Sequence, residues 1–213
     1  STNMEITAEK IMQQLSAGTQ VAGVIAVFGE EGYYKDKIAA ALPRAVFGDA
    51  APEDREITVF ERDTDIKEVS AAVNTYPFFS GRSLVIIKDE KLWGGKDGGE
   101  KRKQQQEELA ELLADVPEHC QVLLLGEKID KRGKLYKSLL KTAAMVECKS
   151  LKSYQLKPWL DEQAALRGCC FDYEASQTIM EYLSVTDNAP LLLLEQEIEK
   201  LSVYAGERKI WTK

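Results

Sequence analysis

The residues of this 213-residue chain best placed to do chemistry begin with Gly29-Glu-Glu-Gly-Tyr-Tyr-Lys35, between an apolar run and a helical pattern. A phosphate-binding loop occupies that place in nucleotide-binding sheets, and it needs Gly-x-x-x-x-Gly-Lys-Ser/Thr so that backbone amides cradle phosphate while the lysine neutralises it. Here the glycine spacing is wrong, and Glu30 and Glu31 would turn like charge toward the phosphates. The loop therefore reads as degenerate, kept for geometry. Leu84-Val-Ile-Ile-Lys-Asp89-Glu90 resembles the apolar strand and acidic pair that hold magnesium and a catalytic water in ATPases. Lys88 breaks its register, so Asp89 and Glu90 are expected to be solvated acids at a strand end. His119 is the single histidine and has no metal-spaced partner, which makes it a loop residue. Cys120, Cys148, Cys169 and Cys170 form no Cys-x-x-Cys pair and read as free thiols, with Cys169 and Cys170 buried. No catalytic residue, cofactor or metal is expected.

Binding is the chemistry that remains. Pro77 ends any helix and Gly81 marks a turn, so Phe78 and Phe79 fall in a short connection before the strand at residues 84–87. Neighbouring side chains in such a segment diverge, and burying both rings in one core is awkward. An exposed pair would be a liability unless a partner covers it. On pattern alone the pair is either core or a binding wedge. The densest basic run is Lys128, Lys131, Arg132, Lys134, Lys137 and Lys141. Lys134, Lys137 and Lys141 share one helical face opposite Leu135 and Leu139. That face is either simply solvated or a weak contact for DNA phosphates within an assembly.

The elements that must position these residues alternate. Strands are expected at residues 21–28, 56–60, 84–87, 122–125 and 144–147. Helices are expected at 6–15, at 32–42 closed by Pro43, after Asp65 as cap with Ile66, Val69, Ala72 and Val73 inward, at 104–115, and at 134–140. A charged loop with Gly94-Gly95, Gly98-Gly99 and Lys101-Arg102-Lys103 precedes the fourth helix. This order predicts an α/β domain with a mostly parallel sheet covered on both faces. Beyond a boundary at about residues 150–152 the patterns at 157–166, 173–185 and 191–204 are helical, parted by Gly168 and Asp187-Asn188. An exposed Trp211 near the end suggests that the fold continues beyond Lys213.

A net charge of −7 with 30% charged residues disfavours a protein that grips nucleic acid by itself. No apolar run approaches the ~20 residues of a membrane span, and the polar start lacks a signal-peptide core. A cytoplasmic location is expected, with no membrane partner.

Together the landmarks Phe28-Gly29-Glu30-Glu31, Pro77-Phe78-Phe79-Ser80-Gly81-Arg82, Asp130-Lys131-Arg132 with Leu135-Tyr136-Lys137, Leu156-Lys157-Pro158-Trp159-Leu160 and Glu197-Ile198-Glu199-Lys200-Leu201 carry a resemblance over essentially the whole chain. In order and spacing the chain resembles the delta subunits of the bacterial DNA polymerase III clamp loader. The resemblance implies a RecA-like AAA+-type domain over residues 1–150 and a small all-helical lid domain over 151–213. By the same resemblance, the family's third, helical collar domain is expected to lie outside residues 1–213. It also implies a subunit that does not hydrolyse ATP and that binds the sliding clamp, the beta subunit, through a hydrophobic element before the third strand. By position that element is Tyr76, Pro77, Phe78, Phe79 and Arg82, with the two phenylalanines as the wedge. A Leu-Phe-like pair can stand there in other members, so the double Phe keeps the apolar bulk. Further implied partners are the gamma/tau and delta prime subunits, and DNA within the assembled loader, with Lys131, Arg132, Lys134 and Lys137 as possible DNA-facing residues. The rivals are a nucleotide-binding AAA+ ATPase with an unusual loop and a purely structural assembly subunit whose phenylalanine pair is core.

Overall fold

The computed structural model describes residues 6–94, 98–185, 191–205 and 210–212. Within them the chain divides into two compact units. One runs to Cys148 except for Glu31–Tyr33, and the other comprises Glu31–Tyr33 and the chain from Lys149.

The first unit is built on five strands: β1 (Val24–Phe28), β2 (Glu56–Phe60), β3 (Ser83–Ile87), β4 (Cys120–Gly126) and β5 (Ala144–Glu147). All pair in parallel, in the order β2-β3-β4-β1-β5. The inner strands are almost wholly buried, as unbroken apolar runs such as Val24-Ile-Ala-Val-Phe28 require when both faces of a sheet are covered. Helices α1 (Ala8–Ala17) and α2 (Gly32–Phe47) cover one face, with Ile11, Leu15, Ile38 and Leu42 packed on Ile25, Val27, Leu84 and Leu123. Helices α3 (Ile66–Asn74), α4 (Gly99–Ala114) and α5 (Lys134–Thr142) cover the other, with Val69, Val73, Leu109, Leu113 and Leu139 on Val85, Ile87, Val122 and Leu124. Caps set the starts of α1 and α3: Thr7 Oγ1 accepts from the Lys10 amide (3.2 Å) and Asp65 Oδ1 from the Lys67 amide (2.9 Å).

Three expectations need correction here. Helix α2 does not stop at Pro43 but carries it inside and runs on to Phe47, because Phe47 is buried in the same cluster on which Val46 packs. Helix α4 starts at Gly99, so Lys101, Arg102 and Lys103 are helical and not in a loop; Gly95 lies outside the described residues. Asp89 is not a solvated acid. It is 5% exposed, and its Oδ2 accepts from the amide (3.1 Å) and hydroxyl (2.8 Å) of Thr64, which ties the end of β3 to the start of α3.

The second unit holds helices α6 (Ser153–Leu166), α7 (Tyr173–Val185) and α8 (Leu191–Ala205). Helix α6 starts earlier than expected, and Gln155 Oε1 accepts from the Lys152 amide (2.8 Å) at its N-terminus. The Arg167 guanidinium, Nε to Glu199 Oε1 at 2.7 Å, joins α6 to α8. The unit is not wholly helical: β6 (Cys170–Phe171) and β7 (Ile210–Trp211) form a two-residue parallel pair. Trp211 is buried because it pairs in register with Phe171 and packs edge-on to that ring at 4.9 Å; the exposed tryptophan expected near the end is thereby corrected. Cys170 is exposed and Cys169 half-buried, because it is Phe171 and not Cys170 that meets the Trp211 ring in this short pair, so the expectation of two buried thiols fails. The Asp187-Asn188 separator lies outside the described residues. Among the described residues no helix is long and apolar enough to cross a membrane.

Candidate functional site

Parallel strands give the first unit two unlike ends. Ligands of such sheets bind beyond the carboxyl ends of the strands, where the strand order reverses. Here that crevice lies between the tips of β1 and β4, and it is filled from within. The Gly29 amide donates to the Gly126 carbonyl (3.1 Å). Lys35 sends its Nζ to the carbonyls of Gly29 (2.7 Å) and Gly126 (3.4 Å). Trp93 is 1% exposed, donates from Nε1 to the Leu125 carbonyl (3.0 Å) and stands edge-on to Phe28 at 5.3 Å. Gly29 has φ 140° and abuts Cys148, so a Cβ there would fall 1.9 Å from the Cys148 carbonyl oxygen. The loop's first glycine thus serves close packing, and its lysine serves the strand tips.

The acid pair after β3 is likewise engaged. Beyond Asp89, Glu90 accepts from the Glu127 amide (2.9 Å), and Lys88 pairs with Glu61 at 2.6 Å. The hydrogen bond from Lys88 holds the Glu61 carboxyl below the ordinary carboxylate range. Burial pushes the Cys120 thiol up, which leaves it a poor nucleophile.

The opposite end of the sheet carries the aromatic turn. Helix α3 stops at Asn74, and Thr75 donates from both its amide (3.0 Å) and its hydroxyl (2.6 Å) to the Ala71 carbonyl. Pro77 is buried and turns the chain outward. Gly81 has φ 71°, a left-handed conformation that side chains with a Cβ rarely adopt, and it turns the chain back into β3. Between them Phe78 is 86% exposed and Phe79 64%, their rings edge-to-face at 5.0 Å. Tyr76, 72% exposed, lies against the ring of His119 at 5.3 Å. His119 donates from Nε2 to the Val73 carbonyl (3.2 Å). Arg82 donates from Nη1 to the Glu118 carbonyl (2.9 Å), and Ser80 Oγ donates to the Arg82 carbonyl (2.9 Å). Glu56 Oε1 accepts from the amides of both Phe78 (2.7 Å) and Phe79 (3.1 Å).

The structure brings Tyr76, Pro77, Phe78, Phe79 and Arg82 together in this one turn, and the core alternative for the two rings does not hold. It adds three supports that the sequence reading missed: Glu56, Glu118 and His119. Only His119 drew notice as a residue type. Nothing local marks the other two, since Glu56 and Phe78 stand 22 positions apart.

The basic run lies elsewhere. On and before α5, Lys131 pairs with Glu147 (3.2 Å), Arg132 with Asp130 (3.3 Å) and Lys134 with Glu107 (3.4 Å). The Arg132 amide and then its guanidinium hold the Asp130 carboxyl below its ordinary value. Lys137 and Lys141 are exposed, with no ion-pair partner among the described residues.

A parallel sheet ordered β5-β1-β4-β3-β2, with a loop at the tip of β1 in the nucleotide position, defines the RecA-like α/β class. Residues 28–149, more than half of the chain, match the family model described as DNA polymerase III, delta subunit, and the chain belongs to that family. It is 28% identical over 193 residues to the DNA polymerase III subunit delta of Bacillus subtilis, an alignment covering 89% of this chain and 54% of that protein. A solved structure, the Bacillus subtilis DNA clamp loader delta protein, superposes with a TM-score of 0.76 at 25% identity, covering 97% of this chain and 60% of that one. The chain thus spans somewhat more than half the length of these relatives.

Proposed function

We propose that the chain works in a clamp loader by binding and not by chemistry, through insertion of Phe78 and Phe79 into an apolar pocket on the ring-shaped sliding clamp. Family membership supports the setting. The observation that carries the reading is the pair of solvent-facing rings on a braced turn, at the end of the sheet away from the nucleotide crevice. Seating the rings helps to open the clamp to the extent that the wedge prefers a ring with a loosened interface, since a partner shifts an equilibrium only by its differential affinity. Tyr76, Pro77 and Arg82 frame the wedge. Residues 1–150 act as the RecA-like AAA+-type module and 151–213 as its lid, a division supported by the two compact units. The gamma/tau and delta prime subunits are the further partners. The clamp of the same organism should be captured by the wild-type chain and not by the Phe78→Ala/Phe79→Ala variant; equal capture by both would refute the wedge.

In this reading the subunit neither binds nor hydrolyses ATP. Lys35 is committed to the Gly29 and Gly126 carbonyls, and Trp93 and Phe28 fill the space behind them. Titration with ATP and magnesium should give no binding heat, and saturable binding would restore the ATPase alternative.

A second contact, with DNA in the assembled loader, is favoured by Lys137 and Lys141, which are exposed and have no ion-pair partner among the described residues. The exposed ion pairs of Lys131, Arg132 and Lys134 are also inexpensive to exchange for phosphate, being worth ~0–1 kcal/mol each. Charge reversal at Lys134 and Lys137 should lower the salt dependence of DNA binding by the complete loader. An unchanged slope would remove this contact.

A further inference from the structure

We infer that Glu56 is a positioning residue for the aromatic turn: its carboxylate holds the backbone of Phe78 and Phe79 in the projecting conformation before any partner arrives. The inference rests on the reading of the two rings as a clamp wedge and adds to it the device that presents them.

Side chains as exposed as Phe78 and Phe79 make too few contacts with their own protein to fix the backbone that carries them. Their ring-to-ring contact at 5.0 Å orders the two rings only relative to each other. Gly81, which has open space around it, adds freedom on the C-terminal side of the turn. What remains is hydrogen bonding. Among the described residues, Glu56 Oε1 is the partner of both amides, at 2.7 and 3.1 Å. Two successive N–H groups converging on one anionic oxygen form a backbone nest filled by a side chain of the same protein. Bonds to an ionised acceptor are roughly twice as strong as neutral ones.

The anchor itself is rigid. Glu56 is the first residue of β2 and stands in register with Ser83, the first residue of β3, immediately beyond the turn. The sheet therefore grips the turn twice, once through the β2–β3 ladder and once through the Glu56 side chain. With both amides drawn toward β2, the side chains of residues 78 and 79 are left to point into solvent. Without the carboxylate the turn samples other conformers, and the apparent affinity for a partner falls by the fraction of time spent in the competent one.

The test separates the anchor from the wedge. Amide hydrogen exchange at Phe78 and Phe79 is read by NMR in the free 213-residue chain, and affinity for the same organism's sliding clamp is read in parallel. Wild type, Glu56→Ala, Glu56→Gln and Phe78→Ala/Phe79→Ala are compared, with thermal melting as the check on folding. Glu56→Ala should speed exchange at both amides by about tenfold and weaken clamp binding by a similar factor. Glu56→Gln, which keeps an acceptor oxygen without its charge, should recover part of both effects. Exchange unchanged in Glu56→Ala would overturn the inference, and so would faster exchange with unaltered clamp affinity. If Phe78→Ala/Phe79→Ala binds the clamp like wild type, the wedge reading fails on its own, whatever Glu56 does to exchange.

Discussion

A benzyl side chain carries ~150–250 Å² of buriable surface, worth roughly 4–6 kcal/mol at ~25 cal/mol/Å² before the costs of association are subtracted. Two such groups side by side in solvent are therefore enough to dominate an interface. Their exposure was partly legible, because Pro77 and Gly81 bracket them in a segment too short to form its own core. Asp89 was not legible: its partner Thr64 lies 25 positions away, and no local pattern says that a strand-end acid will be buried. Trp211 was misread for a similar reason, since Phe171, the ring it packs on, belongs to a strand of two residues. The same scale yields a pH prediction. Glu61 and Asp130 are held below their ordinary values of 4.5 and 3.8 by Lys88 and Arg132. Their contribution to stability is therefore present above those values and lost as pH falls through the depressed folded ones. Glu61 is exposed and Asp130 half-buried beside an exposed guanidinium, so NMR titration should place each midpoint below its ordinary value while the melting temperature changes little. A midpoint at or above the ordinary value would contradict the pairing.

Among the elements, the five parallel strands and the helices between them were readable from periodicity, and β2 and β5 fall at their expected limits. Helix ends were harder. Proline in a helix interior costs ~3 kcal/mol, which is why residues 32–42 looked like a complete helix. Burial of Phe47, with Val46 packed beside it, draws the helix past Pro43 against that cost. Tertiary packing decides where local propensity would stop. Replacing Pro43 by Ala should accordingly stabilise the protein, by up to ~3 kcal/mol, seen as a higher melting temperature. A lower one would mean that the proline is required by the shape of α2. The start of α4 was also placed too far inside the helix, since a glycine-rich, lysine-rich stretch has the composition of a loop although Gly99 already opens the helix.

In the whole molecule, the two ends of one sheet are built differently. The carboxyl end, where relatives of this architecture would hold a nucleotide, is closed by Lys35, Trp93 and Phe28. The amino end holds an aromatic turn braced by Glu56, Glu118 and His119. A chain of net charge −7 gains little by seeking DNA alone, and its basic α5 face is already half-neutralised by Glu107, Asp130 and Glu147. Apolar contact with a protein partner is the stronger driving force available to it. The sign of the net charge and the departure of residues 29–35 from phosphate-loop spacing were evident in the sequence. The filled crevice was not, because Trp93 and Gly126 meet only after folding.

The most direct measurement is calorimetric titration of the same organism's sliding clamp with the wild-type chain and with Phe78→Ala/Phe79→Ala. The double variant should melt within ~0.5 kcal/mol of wild type, as substitutions at exposed positions do, and should lose binding by at least about a hundredfold, as expected when two central hot-spot residues are truncated. A folded double variant that binds the clamp as tightly as wild type would contradict the account.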